Sequence, residues 1–144
     1  MIVQEVDLFR RIPSHVIDEI AALAQEVKGP AGTVLFRQGN AADKLYILVT
    51  GRVDLTVGSQ GSQRTITFPV DREQSVFGWS ALVEPRQYTA TATCATDAEL
   101  LSIDGDRLLR LFAKHPQEGL IVMQRLAGLV AQRLLASYQA LTGG

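Results

Sequence analysis

Between Thr33 and Ile103 the chain alternates side-chain character with a period of two, and turn residues interrupt the pattern every eight to twelve positions or so. No other feature narrows the choice of fold as far. Short strands at this spacing build a sandwich or barrel, whereas a parallel sheet needs crossover helices between its strands. Leu45, Ile47 and Val49 alternate with Tyr46, Leu48 and Thr50, and after Gly51 the residues Val53, Leu55 and Val57 alternate with Asp54 and Thr56. Gly58-Ser59-Gln60-Gly61-Ser62 reads as a hairpin loop, with a return strand opening at Thr65-Ile66-Thr67-Phe68. Tyr88, Ala90, Ala92 and Cys94 then alternate with Thr89, Thr91 and Thr93, and Glu99-Leu100-Leu101-Ser102-Ile103 closes the series.

Helical patterns flank this middle. Ser14 after Pro13 is placed to cap free N–H groups, and Ile17, Ile20, Ala21, Ala24 and Val27 recur at three- and four-residue intervals. That spacing predicts a helix over about 14–28, ended by Gly29-Pro30-Ala31-Gly32. Asp104 or Asp106 can cap a helix reaching about His115, and Pro116 suits the first position of another running from Gln117 to near Gln139. A chain of 144 residues fits one domain, with the barrel over about 33–103 and the C-terminal helices over about 105–140. The last helix is apolar over more of its circumference than the ~100° stripe needed to pack on a barrel. Its excess predicts a homodimer seam through Met123, Leu126, Val130 and Leu134; a helix tucked deeply into its own domain is the alternative.

Charge and composition exclude several classes. Lys and Arg number 14 against 15 Asp and Glu, so the basic excess of a nucleic-acid binder is missing. The lone Cys94 forms neither an internal disulfide nor a zinc site, reads as a small core residue, and fits a reducing cytoplasm. The N-terminus lacks a basic leader, and no apolar run is read as reaching the roughly 18 residues of a membrane span. A cupin, a jelly-roll enzyme, needs several His and carboxylate ligands directed into the barrel; only His15 and His115 are present and both fall in helical flanks, so no such cluster is expected. With no nucleophile–base arrangement either, the expectation is a non-enzyme needing no metal and no cofactor.

Three stretches resemble the cyclic-nucleotide-binding domain family. They are Asp7-Leu8-Phe9 with the helix that follows; Gly32 through Leu48 with Gly51; and Phe77-Gly78 through Ala81-Leu82, continued by Thr96-Asp97-Ala98-Glu99-Leu100-Leu101. The resemblance runs from about Asp7 to Leu135 and implies a mainly β fold with flanking helices, an eight-stranded jelly-roll barrel. It also implies a phosphate-binding cassette, in which Gly78 lets the backbone approach a ligand and Ser80, Ala81 and Leu82 offer amides at the start of a short helix.

Two side chains depart from the family's pattern. Trp79 stands where the family has the Glu that accepts from the ribose, and Tyr88 where it has the Arg that pairs with the phosphate. Thr89 keeps a hydroxyl beside it, and Arg86 lies two residues early, close enough for a small loop shift to bring it inward. A hydrogen bond to a charged group is worth about 1.5–3 kcal/mol, so loss of the guanidinium costs roughly ten- to hundred-fold in affinity. Cyclic AMP and cyclic GMP are therefore disfavoured as ligands. The expectation is a sensory domain taking a small anionic or aromatic effector against Phe77–Leu82, Arg86, Tyr88 and Thr89, since regulators that share the fold accept haem or aromatic acids. A cyclic-nucleotide binder with Arg86 or Tyr88 standing in is one alternative. A ligand-free module that docks a protein partner is another. In the family a DNA-reading helix-turn-helix often follows the long helix; the sequence stops at Gly144, so no direct nucleic-acid binding by this chain is expected.

Overall fold

The computed structural model describes residues 2–58 and 63–142. A short helix α1 (Ile2–Glu5) and a 3-10 turn at Asp7–Phe9 lead into α2 (Ser14–Leu23). Eight strands follow: β1 (Ala24–Gly29), β2 (Val34–Phe36), β3 (Lys44–Thr50), β4 (Val53–Gly58), β5 (Thr65–Val70), β6 (Val76–Phe77), β7 (Thr91–Cys94) and β8 (Ala98–Asp104). A second 3-10 turn, Trp79–Leu82, sits between β6 and β7, and α3 (Gly105–Lys114) and α4 (Pro116–Thr142) complete the chain. The strands form two four-stranded antiparallel sheets, ordered β1-β8-β3-β6 and β2-β7-β4-β5. This is the jelly-roll barrel with flanking helices that the alternation and the resemblance predict. Four of the five residues of the expected 58–62 hairpin loop lie outside the described residues.

The apolar residues divide between two cores, and β3 serves both. Tyr46 and Leu48 face into the barrel with Leu55, Phe77, Ala92 and Leu100. Leu45 and Ile47 point the other way, into a layer formed by Leu8, Phe9, Ile17, Ile20, Leu108 and Leu126. A strand buried on both faces reads as a nearly continuous apolar run, which is what Leu45–Val49 is.

The same two-sided sheet explains where the helical reading fails. The helix expected over 14–28 ends at Leu23, and Ala24–Gly29 is a strand paired with β8 from Ala24↔Ile103 to Gly29↔Ala98. Ala24 and Val27 lie three apart, which puts them on one face of a helix but on opposite faces of a strand. Here each face has its own apolar layer: Ala24 packs on the helical core and Val27 on the barrel interior. Ser14 opens α2 without capping it; Pro13 holds the cap position and no side chain accepts there. Asp104 does cap α3, accepting from Arg107 N at 3.0 Å.

Helix α4 lies along the domain by one face only. Val122 and Leu126 are fully buried, and the Arg125 guanidinium donates to the carbonyls of Leu8 and Arg10, tying the helix to the N-terminal 3-10 turn. Contrary to the sequence expectation, α4 is long and apolar enough to cross a membrane by length and composition, with a mean hydropathy of 1.2 over its best window. Only 17% of that window is buried against the rest of the domain, so most of this apolar helix is open to its surroundings.

Candidate functional site

A cavity of about 330 Å³ opens between the barrel and α4. Strands β2, β4 and β5 supply an apolar wall through Phe36, Leu55, Val57 and Phe68; the segment Gly78–Ala90 supplies one rim and α4 the other. The rim starts from a tight local fold. Gly78 takes φ 75°, and a Cβ there would lie 3.2 Å from the Lys44 carbonyl and 3.3 Å from the Phe36 and Tyr46 rings. Only glycine turns the chain there without strain and without a clash. The 3-10 turn then begins at Trp79, and the first amides of such a turn have no partner within it.

The expected site residues part company at this turn. Gly78, Trp79, Ser80, Tyr88 and Thr89 line the cavity. Phe77, Ala81 and Leu82 do not: Phe77 and Ala81 belong to the barrel core and Leu82 to the helical core, where they close the end of the barrel. The Ala81 amide is also spent, donating to the Gly78 carbonyl at 3.2 Å.

Tyr88 is buried, and its hydroxyl is turned to the backbone of Lys44. The ring stacks on Phe36 with centroids 3.8 Å apart, and the hydroxyl donates to the Lys44 carbonyl at 2.8 Å and accepts from the Lys44 amide at 3.1 Å. Burial pushes its pKa up, the bond to the Lys44 backbone opposes that, and the Asp43 charge adds to the rise. The anticipated alternation holds, since Tyr88, Ala90, Ala92 and Cys94 are all buried, although regular pairing begins only at Thr91.

Arg86 is a correction. Its guanidinium pairs with Asp106 at 2.8 Å, on the first turn of α3, and it does not line the cavity. The two-residue offset would preserve facing along a strand, but Glu84–Arg86 is not a strand: it contains a cis Glu84–Pro85 bond, and Arg86 has φ 62°.

The cation of this cavity comes instead from α4, where the sequence reading did not look. Arg133 lines the cavity, with its guanidinium carbon 4.7 Å from the Phe68 ring centroid and 5.5 Å from that of Trp79. Burial lowers its pKa from the usual arginine value; a guanidinium nonetheless remains charged in a protein. Among the described residues no carboxylate pairs with it. A partly desolvated cation over two aromatic faces, in a cavity that Ser80 and Thr89 also line, suits an anionic group carried on a flat apolar body. The available signal was an arginine three residues after Val130 and four before Ser137, apart from the polar stripe of the helix.

The proposed seam on α4 also needs revision. Leu126 is 1% exposed and belongs to the core, and Met123 packs against that core. Val130 and Leu134 line the cavity while remaining partly open to solvent. Leu120, Ile121, Leu135 and Tyr138 are exposed as well.

A barrel of this topology with a ligand-sized cavity under its C-terminal helix defines a class of regulatory domain. The chain belongs to the cyclic nucleotide-binding domain family, whose profile matches residues 26–115. It is 26% identical over 136 residues to the CRP-like cAMP-activated global transcriptional regulator of Mycobacterium tuberculosis, covering 92% of this chain and 57% of that protein. It is 30% identical over 128 residues to the cyclic AMP receptor protein of Thermus thermophilus, covering 88% of this chain and 56% of the relative. The crystal structure of the Thermus thermophilus catabolite activator protein superposes with a TM-score of 0.74 at 28% identity, over 93% of this chain and 61% of that one. The chain thus spans little more than half the length of these relatives, and the role the family supports for it is regulatory.

Proposed function

We propose that this chain is an effector-sensing domain that binds a small anion with a flat apolar body in the cavity under α4. Arg133 supplies the countercharge that the family's cassette arginine supplies elsewhere. The observation that carries the reading is the Arg133 guanidinium, stationed over Phe68 and Trp79 with no carboxylate partner among the described residues. Because that cation rides on α4, a ligand that engages it favours one placement of the helix over others. An effector shifts such an equilibrium only by its difference in affinity for the two placements. The output passes through α4, whose outer face carries Leu120, Leu135 and Tyr138 with the exposed small residues Ala127 and Ala131 between them. This face is the seam of a homodimer in our reading, in place of one centred on Leu126.

Cyclic AMP as the ligand is the second reading. It is favoured by family membership and by the two relatives, a cAMP-activated regulator and a cyclic AMP receptor protein, and opposed by Trp79 and Tyr88 at the ribose- and phosphate-binding positions. One titration series separates the readings: cyclic AMP, cyclic GMP, salicylate and indole-3-carboxylate against the unmodified chain and Arg133→Met. The effector reading expects micromolar binding of an aromatic carboxylate that weakens roughly ten- to hundred-fold in Arg133→Met. Micromolar heats with cyclic AMP that survive Arg133→Met would defeat it.

A further inference from the structure

Away from this cavity, His15, Glu19, His115 and Glu118 come together where α2 meets the α3–α4 joint. We propose that His15, His115 and Glu118 form a binding site for a divalent transition metal ion of the zinc, cobalt or nickel class, with Glu19 orienting His115. One donor atom from each of the three ligands lies within 4.8 Å of the other two, and the imidazole centroids are 5.8 Å apart. His15 lies on the first turn of α2, His115 at the end of α3 and Glu118 on the first turn of α4. Only the folded chain assembles them.

The geometry needs modest closure. Tetrahedral ligation at about 2.0–2.1 Å sets donors about 3.3 Å apart, so the widest pair closes by about 1.5 Å. His15 is exposed and Glu118 half-buried, so rotamer changes supply that movement and the backbone can stay in place. His115 is held more firmly: its amide donates to the Leu111 carbonyl at 3.0 Å and its Nε2 contacts the Glu19 carboxylate. Glu19 is fixed in turn by the Lys114 ammonium at 2.7 Å. A metal-bound histidine usually gives one nitrogen to the ion and the other to a carboxylate. With Nε2 on Glu19, Nδ1 is the nitrogen of His115 left for the metal.

Two imidazoles and a carboxylate suit zinc, cobalt or nickel, whereas calcium and magnesium call for oxygen ligands throughout. Three protein ligands leave a fourth position for water or an incoming group. A bound ion ties the start of α2 to the base of α4, the helix that bears Arg133.

The test uses the full chain without a histidine tag. Zn2+ and Co2+ are titrated calorimetrically, the Co2+ d–d absorption is recorded, and thermal unfolding is followed with and without each ion. One ion per chain is expected, with a cobalt spectrum of low-coordinate type and a Tm rise of about 6–10 °C at a hundredfold excess over Kd. His15→Ala and Glu118→Gln, both away from the buried core, should each weaken binding at least tenfold while leaving the metal-free Tm within a few degrees of the unmodified chain. No binding at millimolar ion overturns the assignment, and so does unchanged affinity in either variant.

Discussion

Replacing Tyr88 by Phe separates a structural hydroxyl from a ligand-binding one. The hydroxyl makes two short bonds to the Lys44 backbone, donating at 2.8 Å and accepting at 3.1 Å. At about 0.5–1.5 kcal/mol net for each, their loss costs roughly 1–3 kcal/mol. The phenyl ring keeps its stack on Phe36, so no cavity larger than one oxygen opens. For a domain of this size 1 kcal/mol moves Tm by about 3 °C, so scanning calorimetry should show a fall of about 3–9 °C. Ligand affinity should stay within about twofold, because the ring remains in the cavity wall and the hydroxyl already faces Lys44. A Tyr88→Phe chain with unchanged Tm but tenfold weaker effector binding would refute the reasoning and return the hydroxyl to the binding site. Tyr88→Arg, which restores the residue type of the family's phosphate contact, should unfold at still lower temperature. It gives up the same two bonds and the stack as well, so it cannot simply rebuild a cyclic-nucleotide site.

Other expectations concern the helix and the barrel interior. Leu126→Ala should destabilise the chain by about 2–5 kcal/mol in thermal or urea unfolding, as a buried leucine does; a loss under 1 kcal/mol contradicts its place in the core. Leu135→Glu, on the outer face of α4, should shift sedimentation from dimer to monomer and lower Tm only by the stability that association supplied; an unmodified chain that sediments as a monomer ends the dimer proposal. Burial, aided by the neighbouring Tyr88, pushes the Tyr46 pKa up from 10.0 to about 12. A group raised on folding contributes stability that is complete below its unfolded pKa and is lost as pH rises through the folded one. Tm should therefore fall between pH 10 and 12, and Tyr46→Phe should flatten that slope; parallel profiles would show that Tyr46 is not its source.

The barrel was legible because period-two alternation and turn residues are local signals. The strand Ala24–Gly29 was not legible. Its three-residue apolar spacing acquires meaning only once an apolar layer lies on each side of β8. At the candidate site, Gly78, Trp79, Ser80, Tyr88 and Thr89 were located by resemblance and do line the cavity. Arg86 failed because a turn broke the strand facing on which its placement depended. Arg133 escaped because it lies 55 residues beyond Gly78, and only packing of α4 over the barrel brings the two together. His15 and His115 illustrate the same difficulty: exactly 100 positions separate them in sequence, and the helical layer sets their rings side by side.

The central claim is that α4, through Arg133, supplies the charge that recognises the effector. A crystal structure of the chain with a bound anionic ligand tests it directly. The account predicts the anionic group within about 2.7–2.9 Å of the Arg133 guanidinium, with the apolar body against Phe68 and Trp79. An anion seated on the amides after Gly78, with Arg133 turned out to solvent, would contradict it.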